Sequence, residues 1–117
     1  MKDLSARDRV RDGLSAALDK KAAAVLVFNL TELTTMAEYF VLSTAGSDRQ
    51  ARAIADAILE ALGPALSVEG LETANWILMD YGDVVFHVFL AEARRFYALE
   101  RLWGDAENET GRFAASS

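Results

Sequence analysis

The residues best suited to chemistry crowd into one stretch, "NWILMDYGDVVFHVFLAEARRFYALERLW", residues 75–103. Asp80 and Asp83 flank Tyr81-Gly82, and His87, the chain's only histidine, follows shortly after. Two carboxylates held close on one strand face can bind divalent ions over a triphosphate. A histidine near acids can shuttle a proton or ligate a metal. Each residue also has a plainer role. Aspartates flanking a turn are ordinary, because Asp suits such positions and water solvates it. A lone histidine in an apolar strand is more often packed and hydrogen-bonded than catalytic.

Spacing argues against catalysis. No metal triad assembles around His87 with recognisable spacing, and no serine sits in a nucleophile-elbow context. The segment "STAGSD", Ser43 to Asp48, does resemble the Gly-Ser turn of nucleotidyltransferases. Gly46-Ser47 would be that turn, and Asp80 and Asp83 would stand in for the metal-binding acids. Such enzymes place their acids at alternate positions along a strand, whereas these bracket a turn. No cluster of Lys or Arg nearby is placed to hold phosphates. Nucleotide transfer therefore stays as the alternative reading.

The elements that must position these residues follow from periodicity. Ser5 and Asp8 form a capping-box pattern, and Val10, Leu14, Ala17 and Leu18 recur at helical spacing, with Gly13 a weak point. "AAVLVFNL", Ala23 to Leu30, is an unbroken apolar run and predicts a strand buried on both faces or central in a sheet. A second strand is expected over Glu38 to Ala45. Ser47 with Gln50 opens a helix whose apolar stripe is Ala51, Ile54, Ala55, Ile58, Leu59 and Leu62, ended by Gly63-Pro64. "ALSVEG" reads as a loop. Strands follow over Asn75 to Asp80 and Val84 to Leu90, then a helix from Glu92 to Trp103 with Phe96, Leu99 and Trp103 on one face. The expected fold is α/β (α+β), one domain over residues 1–104 with a mixed sheet packed by helices. Residues 105–117 are polar and expected to fray.

Treating Tyr81-Gly82 as a two-residue turn sets Met79 opposite Val84, Leu78 opposite Val85, Ile77 opposite Phe86 and Trp76 opposite His87. Alternation then separates two faces. Ile77, Met79, Val84, Phe86, Val88 and Leu90 form a core face. Trp76, Leu78, Val85, His87 and Phe89 form the other, with Asp80 and Asp83 at its turn end. Such a face is either a protein-docking surface rimmed by acids or a second core layer under another helix. Tyr81 fits poorly in a turn that needs positive φ at both central residues, so a different turn could shift the register.

Across 117 residues, 12 basic and 18 acidic side chains give a net charge of −6. That balance disfavours wrapping a phosphate backbone, so little or no nucleic-acid contact is expected beyond what Arg94 and Arg95 could make at an interface edge. It suits a basic protein partner. There is no cysteine. With no signal core and no apolar stretch of spanning length, no membrane association and a cytosolic home are expected.

Three segments together resemble one family, the ribosomal silencing factor RsfS (Iojap-like) family. They are "EYFVLSTAGSDRQARAIADAI", "VEG" at Val68 to Gly70, and "WILMDYGDVVFHVF" followed by "RRFYALERLW". Glu38 departs from the Asp usual there, and "STAGSD" varies a segment often reading Ser-Gly-Thr-Ser-Asp. The resemblance implies a nucleotidyltransferase-like fold lacking the catalytic acids, no cofactor, and no enzymatic activity. It also implies binding to the large ribosomal subunit through ribosomal protein number fourteen (uL-fourteen), which blocks joining of the small subunit and represses translation. Organelle relatives are linked to large-subunit assembly. On that footing Trp76, Leu78, Val85, His87 and Phe89 are the expected contact centre, and Asp80, Tyr81 and Asp83 its rim. A free homodimer would be a natural use of the same face.

Overall fold

In the computed structural model the described residues are 5–33, 35–92 and 107–108. Helix α1 (Ala6–Asp19) opens as its sequence predicts. Ser5 Oγ accepts the Asp8 N–H at 3.2 Å, and the Asp8 carboxylate accepts the Ser5 N–H at 3.3 Å. Two of the orphan donors at the helix start are thereby satisfied. Helix α2 (Asp48–Leu62) is capped by Ser47, whose Oγ accepts the Gln50 N–H at 3.1 Å. Gln50 reaches back, although to the N–H of Gly46 at 2.7 Å rather than that of Ser47. Its amide nitrogen also donates to the carbonyls of Lys20 and Lys21, at 3.0 Å each. One side chain thus ties the end of α1 to the start of α2.

The strands are β1 (Ala23–Asn29), β2 (Tyr39–Ala45), β3 (Ser67–Glu69), β4 (Trp76–Asp80), β5 (Val84–Leu90) and β6 (Glu107–Asn108). They form one six-stranded sheet in the order β3-β4-β5-β2-β1-β6. The central pair β2–β5 is parallel and the other pairs are antiparallel, so the sheet is mixed, as expected. Alternation decides which side each residue serves. Both helices lie over one face. There Val10, Leu14 and Ala17 of α1 and Ala51, Ile54, Ala55 and Ile58 of α2 bury Val27, Val41, Ile77, Met79, Val84, Phe86 and Val88. Gly13 has a packing reason, because a Cβ there would run into the ring of Phe86. On the opposite face Phe28, Leu30, Ala37, Leu42 and Phe89 form a smaller buried cluster, with Leu26, Phe40, Trp76 and Val85 partly buried against it.

Several expectations need correction. β1 is not central: it lies second from the β6 edge, Ala23 and Ala24 are exposed, and the ladder to β2 slips between Ala23 and Leu26. Ala24 takes a φ of +48°, the local irregularity at that slip. The loop "ALSVEG" contains β3, too short and polar to announce itself. Glu107 and Asn108, inside the segment expected to fray, pair with Asn29 and Phe28 as β6. Helical structure is described at Ala91 and Glu92. The remainder of the expected last helix, with Phe96, Leu99 and Trp103, lies outside the described residues.

Candidate functional site

The β4–β5 hairpin pairs Trp76 with Phe89, Ile77 with Val88, Leu78 with His87, Met79 with Phe86 and Asp80 with Val85. The expected register is therefore off by two residues. The cause is the turn: the Tyr81 N–H donates to the Val84 carbonyl at 2.9 Å, so Gly82 and Asp83 are its central pair. Gly82 takes a φ of +89°, the role glycine fills at the first central position of a tight hairpin turn. Tyr81 sits just past the end of β4, outside the turn's central pair, and avoids the positive φ that made it awkward. A shift of two preserves the pleat, so both predicted faces survive.

On the face opposite α1 and α2, Trp76 is the hub among the described residues. Its indole Nε1–H donates to Nδ1 of His87 at 3.0 Å. Its ring stacks on Phe89 at 5.1 Å between centroids. His87 in turn lies 4.7 Å from the Phe40 ring and stacks parallel to Phe89 at 6.0 Å. Trp76, Leu78 and Val85 are half-buried. His87 and Phe89 are 4% and 0% exposed, so they underlie the face instead of presenting it. Both were expected at the contact centre. Removal from water pushes the His87 pKa down from 6.5 to about 4, because a buried imidazolium has lost its hydration.

The acids divide. Asp80 Oδ1 accepts the Gly82 N–H at 2.7 Å, steadying the turn. Asp83 Oδ1 instead accepts from Arg9 Nε of α1 at 3.0 Å. Tyr81, expected at the rim, turns to the helical side, where its hydroxyl donates to the Gly63 carbonyl at 2.7 Å. It meets Phe86 edge-on, and burial raises its pKa. Tyr81 and Asp83 thus serve the packing of helices on the sheet. The rim gains a member the sequence did not reveal: Glu69 of β3 pairs opposite Leu78, shares its face, and is exposed. Gly70 permits that approach, with a φ of +88° and a side-chain position occupied by the Trp76 carbonyl. Arg52 pins the following turn by donating to the carbonyls of Leu71 at 2.9 Å and Glu72 at 2.7 Å.

This geometry does not assemble the nucleotide-transfer site. Asp83 is engaged by Arg9, Ser47 caps α2, and no group of three or more His, Asp or Glu among the described residues could hold a metal. No helix among the described residues is long and apolar enough to cross a membrane.

Comparison with known proteins points one way. The RsfS family model, described as ribosomal silencing factor during starvation, matches residues 3–116. The chain is 36% identical over 107 residues to the ribosomal silencing factor RsfS of Halalkalibacterium halodurans, covering 88% of this chain and 92% of that protein. It is 38% identical to the RsfS of Bacillus subtilis, covering 79% and 81%. A crystal structure of a Chromobacterium violaceum protein superposes with a TM-score of 0.81 at 30% identity, covering 86% of this chain and 88% of that one. With an α+β sheet, two helices on one face and a match along nearly its whole length, the chain belongs to the ribosomal silencing factor (RsfS, Iojap-like) family.

Proposed function

We propose that this chain binds the large ribosomal subunit through ribosomal protein number fourteen (uL-fourteen) and blocks joining of the small subunit by bulk, repressing translation. The observation that carries the reading is the apolar and acidic make-up of the hairpin face opposite α1 and α2. Trp76, Leu78 and Val85 lie half-buried there, with Asp80 and Glu69 beside them, in a chain of net charge −6. Aromatic and aliphatic anchors with an acidic margin fit a partly apolar, basic protein surface. Among similar proteins, a mouse relative 26% identical over 77% of this chain is named mitochondrial assembly of ribosomal large subunit protein 1; the match spans 42% of its length. That name supports the choice of subunit. Trp76, Leu78, Val85 and Asp80 are the proposed contacts, with His87 and Phe89 beneath them and Tyr81 and Asp83 holding the hairpin from the other side. Repression requires no catalysis, because occupancy of the joining surface suffices.

Co-sedimentation with purified subunits tests the reading. The chain should travel with large subunits, stay away from small ones, and lower the yield of joined ribosomes. Trp76→Ala should abolish co-sedimentation while the chain remains folded by circular dichroism. Joining that proceeds unchanged at saturating protein refutes the mechanism.

A further inference from the structure

An indole Nε1–H can only donate, so its 3.0 Å contact with His87 Nδ1 decides where the imidazole keeps its own proton. Nδ1 must be the acceptor, and the neutral ring must carry hydrogen on Nε2. Nε2 is buried without a hydrogen-bond partner. An unmatched buried donor is costly. A phenyl ring in the same slot would stack on Phe40 and Phe89 and carry no unmatched nitrogen of its own, but it would leave the indole N–H without this acceptor. What the imidazole adds to this position is therefore its other nitrogen, the one that holds Trp76. Among the described residues, the ladder neighbours of His87 are Leu42 and Leu78 and its ring neighbours are Phe40, Trp76 and Phe89; none of these is ionisable.

We propose that His87 is the positioning residue of the docking face: its buried neutral ring accepts the indole proton and fixes Trp76 in the orientation that meets the ribosomal partner. The proposal rests on the docking role given to Trp76 above. Stacking on Phe89 sets the plane of the indole but, being tolerant of sliding, adds little direction of its own. The directional N–H···Nδ1 bond selects one arrangement. An anchor held before contact loses less rotamer freedom on binding, which favours the complex.

Two readouts on the full chain test this. In nitrogen-15 spectra at neutral pH, His87 should show the Nε2-protonated tautomer, and the Trp76 indole signal, assigned by its loss in Trp76→Phe, should exchange slowly with water. His87→Phe should shift that signal and speed its exchange at least tenfold, whereas His87→Gln, whose amide oxygen can accept, should restore part of the protection. In parallel, affinity for purified large subunits should fall at least fivefold in His87→Phe and recover in His87→Gln. A proton on Nδ1, or an indole signal indifferent to His87→Phe, overturns the positioning role without reference to any ribosome. Wild-type affinity in a His87→Phe chain whose indole has lost protection overturns it as well. A wild-type chain with the expected indole signature but no affinity for large subunits overturns instead the docking role of Trp76, and with it that of His87.

Discussion

Arg9, in the first helix, grips Asp83, in the β4–β5 turn, through a 3.0 Å bond that spans 74 positions of sequence. Their side chains are 26% and 21% exposed, so the pair is partly shielded from water. Such a pair is expected to contribute about 1 kcal/mol, less in high salt. A double-mutant cycle with Arg9→Gln and Asp83→Asn, followed by urea denaturation, should return that coupling. Zero coupling at low salt would mean that the bond does not fasten α1 to the hairpin.

Helix propensity and packing pull Gly13 in opposite directions. Replacing glycine by alanine inside a helix ordinarily gains about 1 kcal/mol. Here the added methyl would enter space filled by the Phe86 ring, and overpacking of this kind costs about 1–3 kcal/mol. Gly13→Ala should therefore lower the urea midpoint, and Gly13→Ala with Phe86→Leu should recover much of the loss. A stabilised single variant would show that Phe86 yields freely.

The depressed pKa of His87 makes stability depend on pH in a defined window. Between about 4 and 6.5 the unfolded chain holds a proton that the folded chain refuses. Stability from this residue is thus complete above pH 6.5, declines as pH falls, and levels off below about 4. The full swing is on the order of 3 kcal/mol. Comparing wild type with His87→Gln at pH 7 and pH 4.5 cancels the carboxylates common to both. Wild type should lose more stability, and equal losses would show that His87 titrates normally.

The division of the acids predicts which charges steer association. Glu69→Gln with Asp80→Asn removes the charge of the rim while leaving Asn able to accept the Gly82 N–H. Association with large subunits should slow roughly fivefold at low salt and converge with wild type at high salt. Asp83→Asn should barely change the association rate, because Arg9 already offsets its charge. Stopped-flow kinetics at two ionic strengths decide the matter, and equal slowing by both changes would erase the distinction.

The legible and the hidden parts of this molecule differ in range. Caps at Ser5 and Ser47, the stripe from Ala51 to Leu62, and the sorting of β4 and β5 into two faces depend on residues a few positions apart, and each was readable. The hairpin register was missed because Gly82-Asp83, not Tyr81-Gly82, forms the turn centre. The faces nonetheless held, since a displacement by two keeps every side chain on its side. Phe89 is buried in a cluster with Phe28, Leu30 and Leu42, and His87 lies beside Leu42 and against Phe40, partners distant in sequence that no local pattern encodes. The turning of Tyr81 toward Gly63, the grip of Arg9 on Asp83, and the arrival of Glu69 beside Leu78 are likewise partnerships between distant segments.

At three residues, with Glu69 pointing outward, β3 is a poor template for another strand. An open sheet margin invites neighbouring copies to stitch on and grow into fibres. This brief charged margin offers them little backbone to grasp and a like charge to meet. The flank is thereby kept from becoming a seed for aggregates.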